Sequence, residues 1–544
     1  METLSSEAAG SVSAEEMHSV IHLFTSTPFT NNMEDLQTKR LKAVEEVRRL
    51  LLPQHEPVES AVLIDKLQRL GIDYHFRDEI EQLLPLIHDN VGDDDAHHGL
   101  LFAALSFRLL RQCGYYVSTS VFNRFRDRDG RFKTQLSEDI AGMLALYEAS
   151  FLSLEGEDML DEARKFSSSY LRKLVGDVEA SVSGQIEYIL NHPFYLSIPR
   201  FNIKHYLEKS TGAGGKNEIV NELAKLDFNI VQLMLQRELQ EVARWWRGLG
   251  LQKELKLARE NYVEWFIWSL IVASDPQLST SRVEMAKPIA FIFLIDDIFD
   301  VYGTLDELII FTEAVERWEV ESTKMLPRFM KMSFMALYNT TNDIAGKVHK
   351  QQGWNPIETL RKTWAAMCRS FLAEKRWLSS GNLPESEVYL RNGMISSGVP
   401  MALIHMFVLL GEGKKKETTN LLRSIPDLIS HSAMIFRLWN DMKSVNGDKG
   451  RGHDGSYADC YMKERCGTFL SIESVEEHVK QRLNVAWKKL NAECLSANPY
   501  SAAFTTASLN IPRMAQMAYS YNDDERPVAL KELSLSLLME SVPL

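Results

Sequence analysis

The chain has 544 residues, 45% hydrophobic and 25% charged, the composition of an ordinary globular protein. A net charge of −13 without a long Lys/Arg block excludes a partner held through nucleic-acid phosphates. No apolar run reaches the ~20 residues that span a membrane. Five scattered cysteines, Cys113, Cys368, Cys460, Cys466 and Cys494, lack metal spacing and fit free thiols in a reducing compartment.

In chain order, residues 1–30 are Ser/Ala/Glu-rich without periodicity, which predicts disorder. The first basic residue is Lys39, so neither a secretory signal nor a basic transit peptide is visible. The expected location is the cytoplasm, with the plastid as the alternative if a longer precursor is trimmed. From Asn32 helical patterns follow one another, with apolar residues at i, i+3, i+4, as in SAVLIDKLQRLGI. Strand-like alternation is nearly absent, so the expected fold class is all-α. The Pro-containing stretch Asn191–Tyr206 is the predicted seam between two domains, 31–215 and 216–544.

In the second half, Arg244, Trp245, Trp246 and Arg247 form an aromatic–basic cluster; an amphipathic helix end explains it as simply as a site. Pro288 should kink the helix leading into FIFLIDDIFD, Phe291–Asp300. There, Asp296 and Asp300 are four residues apart and share a helix face. Two carboxylates at the end of a greasy helix repel each other and are costly to bury unless a cation offsets them. Mg2+ favours such oxygens and bridges them to substrate phosphates. A solvated acidic helix end is the plain alternative. Further on, Ser396–Pro400 interrupts an apolar helix, either as a break that frees backbone carbonyls or as an ordinary helix end.

The stretch Arg437–Gly452 strengthens the cation reading. Asn440, Ser444 and Asp448 are spaced i, i+4, i+8 and put three oxygen ligands in a column on one helix face. Arg437 lies about one turn earlier, and Lys449 and Arg451 follow. Two oxygen-rich faces with arginines between them would grip a diphosphate.

With both motifs in view, the chain resembles a plant terpene synthase of the metal-dependent, ionisation-initiated class over nearly its whole length. The family's aspartate-rich motif matches Asp296, Asp297 and Asp300; its second metal motif matches Asn440, Ser444 and Asp448, with Asp448 one methylene shorter than the usual Glu. Further family-like stretches are Val121–Phe132, Glu138–Ser150, Ala243–Leu251 and Ala458–Glu464. The resemblance implies a relict α-barrel-like N-terminal domain without catalysis, since Asp93–Ala96 is not the protonating DxDD motif, and a C-terminal helical bundle. It implies three Mg2+ per site, with Mn2+ as a substitute, held by Asp296, Asp300, Asn440, Ser444 and Asp448. It implies diphosphate binding by Arg259, Arg437, Asn440 and Lys449. Trp268 and Tyr519 become catalytic candidates on the pocket wall, and Phe293 a further aromatic; core packing is the alternative for Trp268. A monomer is expected.

Departures from the family bear on product. The second arginine of the RxR pair is replaced by Asn261, the N-terminal tandem-arginine–Trp motif is missing, and Arg526 falls where some cyclases carry Tyr. These resemble the linalool/nerolidol synthases. The implied reaction ionises farnesyl diphosphate and captures the cation with water to give nerolidol, with linalool from geranyl diphosphate. The alternative is a cyclising sesquiterpene synthase. A chain-elongating prenyltransferase would want two aspartate-rich motifs, and a dead helical binding protein would not need intact Arg259, Asp296, Asp300, Arg437, Asn440 and Ser444.

Overall fold

The structure, a computed structural model, describes residues 30–52, 56–91, 99–209, 216–251, 261–414, 424–446, 455–465, 471–519 and 534–544. The expected disorder of residues 1–30 and the Asp93–Ala96 stretch fall outside the described residues, apart from Thr30, where the first helix begins. The all-α expectation holds: among the described residues the one β feature is an isolated antiparallel bridge between Arg126 and Phe132.

The chain forms two compact units. One comprises 27–233, 491–498 and 536–544; the other includes 234–490 and 499–535. The first unit holds α1 (Thr30–Leu50), α2 (Pro57–Arg69), α3 (Arg77–Val91), α4 (Leu100–Gln112), α5 (Ile140–Ala149), α6 (Asp158–Leu174), α7 (Ala180–Asn191) and α8 (Pro199–Lys209). Helix α9 (Lys216–Gly248) begins there and crosses into the second unit. Buried ion pairs hold the first unit, one of them at Asp227. Asp227 on α9 is 1% exposed, accepts from Arg40 Nη1 at 3.2 Å, and contacts His75 Nε2 at 2.9 Å. The C-terminus returns to this unit through side-chain amides that stand in for helix-end partners. Asn229 exchanges two 2.8 Å hydrogen bonds with the backbone of Val542, and Gln232 Nε2 donates to the carbonyls of Leu537 and Glu540.

The second unit holds α10 (Tyr262–Val272), α11 (Ser279–Asp297), α12 (Leu305–Arg317), α13 (Arg328–Gln352), α14 (Ile357–Ser380), α15 (Ser386–Ser396), α16 (Val399–Leu410), α17 (Asp427–Asn446), α18 (Tyr457–Glu464), most of α19 (Ile472–Leu495), whose residues from Asn491 on belong to the first unit, and α20 (Ala502–Tyr519). Three of these are apolar nearly all round and are buried accordingly: α10, the last turns of α11, and α16. Helix α11 packs on α10, α13 and α16, and α17 packs on α15, α16, α18 and α20. The buried ion pair of Arg282 with Glu238, at 2.7 and 3.0 Å, joins the start of α11 to the end of α9.

No single helix among the described residues is long and apolar enough to cross a membrane. The bent pair α15–α16 meets that test by composition, but α16 is buried from Val399 to Val408 as a core helix. Helix α11 runs through Pro288 as one element.

Candidate active site

Helix α11 carries its apolar run to Asp297 and then passes into a π-helical turn, Ile298–Tyr302, closed by Gly303 N–H donating to Ile298 O at 2.8 Å. Such turns widen a helix by one residue and gather at functional sites. Here the turn leaves Asp296 buried at 3% exposure and brings Asp300 into solvent. Gly303 ends the turn because a Cβ there would stand 2.5 Å from Leu308, and the Thr304/Glu307 capping box starts α12.

Asp296 and Asp300 line a cavity of about 200 Å3 together with Arg437, Asn440 and Asp441 of α17, Glu374 and Lys375 of α14, and Ser396 at the end of α15. Asp296 and Asn440, 144 positions apart in sequence, thus face one space. Lys375 Nζ donates to the Asp300 carbonyl at 3.3 Å. Arg437 Nε pairs with Asp441 at 2.9 Å, and its guanidinium stacks over the Tyr389 ring at 4.9 Å. Burial alone would lower the Arg437 pKa; the Asp441 carboxylate, together with Tyr389 and Glu374, more than offsets it and holds the guanidinium well above its ordinary value. Burial pushes the Tyr389 hydroxyl well up, so it stays protonated.

One helical turn deeper the same helices turn apolar. Ile292 precedes Asp296 by four residues, Phe436 precedes Asn440 by four, and Ser397 follows Ser396. These residues line a second, apolar pocket with Trp268, Val272, Ile289, Phe293, Gly398 and Ile511. Trp268 meets Phe436 edge to face, with centroids 5.8 Å apart. The Ser396–Pro400 stretch is a break: α15 ends at Ser396, Gly398 takes φ +74°, and α16 starts at Val399.

Not every sequence candidate can be placed. Arg259, Asp448, Lys449 and Arg451 lie outside the described residues. Ser444 sits on α17 and Tyr519 ends α20, but their side chains are outside the description. Asn261 acts locally, because its side chain caps α10 by accepting from the Glu264 amide at 3.2 Å. The Trp245–Trp246 cluster is packing rather than a site, with Trp246 buried edge-on to Trp265 at 4.5 Å. Residues the motifs did not point to include Glu374, which accepts from Ser396 Oγ at 2.6 Å, as well as Tyr389, Asp441 and Asp459. Of these, Asp441 adjoins Asn440 and Asp459 falls within the family-like stretch Ala458–Glu464; Glu374 and Tyr389 carry no pattern of their own.

Among the described lining residues the donor set suits a hard cation: carboxylates and an amide oxygen, with no thiol or imidazole. Among the described residues no three His, Cys, Asp or Glu side chains converge to chelate one ion alone. Such a set fits Mg2+, which keeps waters and shares its sphere with phosphate oxygens.

Residues 247–489 match the family model described as terpene synthase family, metal binding domain, and residues 16–190 match terpene synthase, N-terminal domain. An (E)-nerolidol synthase of Cannabis sativa is 41% identical over 492 residues, 88% of each chain. A chloroplastic tricyclene synthase of Antirrhinum majus is likewise 41% identical, over 90% of this chain and 85% of that one. The crystal structure of isoprene synthase from grey poplar leaves, in complex with three Mg2+ ions and dimethylallyl-S-thiolodiphosphate, superposes with a TM-score of 0.88 at 37% identity, covering 93% of this chain and 97% of that one.

Proposed function

The chain belongs to the terpene synthase family, and from that premise we propose that it ionises farnesyl diphosphate and hands the allylic cation to water, releasing the acyclic alcohol nerolidol, with linalool formed from geranyl diphosphate. The observation that carries this reading is the stacking of a polar cavity over an apolar, aromatic-lined one on the same helices. A prenyl diphosphate has that same division: a strongly anionic head and a hydrocarbon tail.

Asp296, Asp300 and Asn440 would hold Mg2+ at the polar cavity, with Ser444 and Asp448 as further ligands. When bound, the metal supplies the positive charge that neutralises the departing diphosphate. Arg437 donates to the same leaving group from a fixed orientation, which is worth more than a mobile donor. Arg259 and Lys449 are the other proposed diphosphate contacts. Below them Trp268, Phe436 and Phe293 present ring faces and edges to the tail, and the Trp268 face stabilises positive charge. Backbone carbonyls at the α15–α16 break, whose residues Ser397 and Gly398 line the same pocket, are proposed to act in the same sense. Tyr519 remains a proposed member of the wall.

Asn261 in place of a second arginine supports release of an uncyclised product. The equal likeness to a tricyclene synthase supports a second reading, a cyclising enzyme that gives cyclic hydrocarbons. Gas chromatography–mass spectrometry of products decides between them. The protein is given Mg2+ with farnesyl diphosphate and, separately, geranyl diphosphate. Nerolidol and linalool are expected; cyclic hydrocarbons as the main products would overturn the acyclic reading.

A further inference from the structure

Asp441 adjoins Asn440 on the cavity wall but has no part in the proposed function, and its carboxylate is held from three sides. It is 8% exposed. One carboxylate oxygen lies 2.9 Å from Arg437 Nε as an ion pair and accepts from the Tyr389 hydroxyl at 3.4 Å. The other accepts the backbone amide of Tyr457, the first residue of α18, at 3.0 Å. Three helices therefore meet at one side chain: α15 through Tyr389, α17 through Arg437, and α18 through its first amide.

Two further features fix the same arginine. Its guanidinium donates to the Tyr389 hydroxyl while lying over that ring. It also crosses α15 at Gly393, where a Cβ would stand 2.9 Å from Arg437 Nε. On the α18 side, Ser456 and Asp459 form a capping box whose residues line the cavity beside Arg437. A carboxylate facing an anionic leaving group would oppose it if it stood alone. Here its charge is taken up by the guanidinium and by a helix-start amide, so the wall still presents donors to the cavity.

We propose that Asp441 is a positioning residue for diphosphate departure: it holds Arg437 in one orientation and pins the start of α18 to the cavity wall. The proposal rests on the reading that the polar cavity takes a prenyl diphosphate. A fixed donor acts mainly as charge develops on the leaving group, so its loss falls on kcat more than on KM.

The test uses the full chain with Asp441→Asn, Asp441→Ala and Tyr389→Phe. Asparagine keeps the size and an acceptor for the Tyr457 amide but gives up the charge that orients Arg437. Diphosphate release with Mg2+ and farnesyl or geranyl diphosphate should show kcat lowered by about tenfold or more in Asp441→Asn, with KM within about threefold. Tyr389→Phe keeps the ring, loses the hydroxyl, and should lower kcat in the same direction. Hydrogen exchange without ligand reads the second link. The Tyr457 amide should exchange about tenfold faster in Asp441→Ala and stay protected in Asp441→Asn. Unchanged kcat in the Asn variant, or unchanged Tyr457 protection in the Ala variant, overturns the proposal. Wild-type protein that releases no diphosphate would instead overturn the prenyl diphosphate reading, and the exchange measurement would still decide whether Asp441 pins α18. If Asp441→Ala does not fold, the same-sized Asn variant and Tyr389→Phe decide through kcat.

Discussion

Gly398 lies against Ile292: a Cβ on Gly398 would sit 2.9 Å from Ile292 Cγ2, and the glycine already occupies φ +74°. The break between α15 and α16 is therefore fixed by a side chain of the helix that carries the aspartates. Gly398→Ala should cost about 1–3 kcal/mol from backbone strain, with the clash in addition. Ile292→Ala should recover part of that loss, because the two positions touch and their effects are not additive. Thermal melts of the single and double variants check this. Ile292 and Gly398 both line the apolar pocket, so the product mixture should shift in the same variants.

The aspartates are tested separately. Asp296→Asn removes a buried carboxylate from the polar cavity and should abolish Mg2+-dependent diphosphate release while leaving the helical circular dichroism intact. Asp300→Asn removes a solvent-facing carboxylate from the same cavity and should lower turnover with a smaller change in melting temperature. Retained turnover in Asp296→Asn would remove that residue from the metal site.

How much of this was legible in the sequence follows from the physics of each feature. The 3.6-residue periodicity identified the helices, and the i, i+4 spacing of Asp296 and Asp300 put both on one cavity. Spacing could not show the π turn, because it shifts the hydrogen bond by a single residue, from i−4 to i−5, and leaves the apolar pattern nearly unchanged. It could not show Glu374, Lys375 or Tyr389 either. These lie on α14 and α15 with no motif of their own and reach the cavity only through the packing of α14 and α15 against the site helices. Asn261 read as a missing arginine; that it caps α10 depends on where the helix starts, and such ends shift by a residue or two in sequence reading. The return of the C-terminus to α9 rests on side-chain amides bonding backbone, which leave no periodic signal.

The Arg282–Glu238 pair gives a stability prediction away from the chemistry. Arg282 is 0% exposed and also donates to the carbonyls of Ala273 and Asp275. Glu238→Ala leaves that guanidinium buried without its carboxylate and should cost about 3–5 kcal/mol. Replacing both partners, Glu238→Leu with Arg282→Met, should cost less than the single change, because no charge is left stranded. Denaturant midpoints of the three variants measure the order.

His405 on α16 predicts a pH response. It is fully buried, its Nδ1 lies 2.9 Å from the Met401 carbonyl, and its ring packs edge-on to Trp364 at 5.6 Å. Burial lowers its pKa to about 4, against an ordinary 6.5, although the Met401 hydrogen bond pulls the other way. Between those values the unfolded chain binds a proton that the folded chain refuses. Its contribution is complete above pH 6.5 and is lost as the pH falls toward 4. The full loss is on the order of 3 kcal/mol. Melting temperatures of wild type and His405→Phe at pH 7.0 and 5.0 isolate this group from the other histidines. The wild type should lose more on acidification than the variant. Equal losses would mean that His405 titrates normally and that α16 admits its charge.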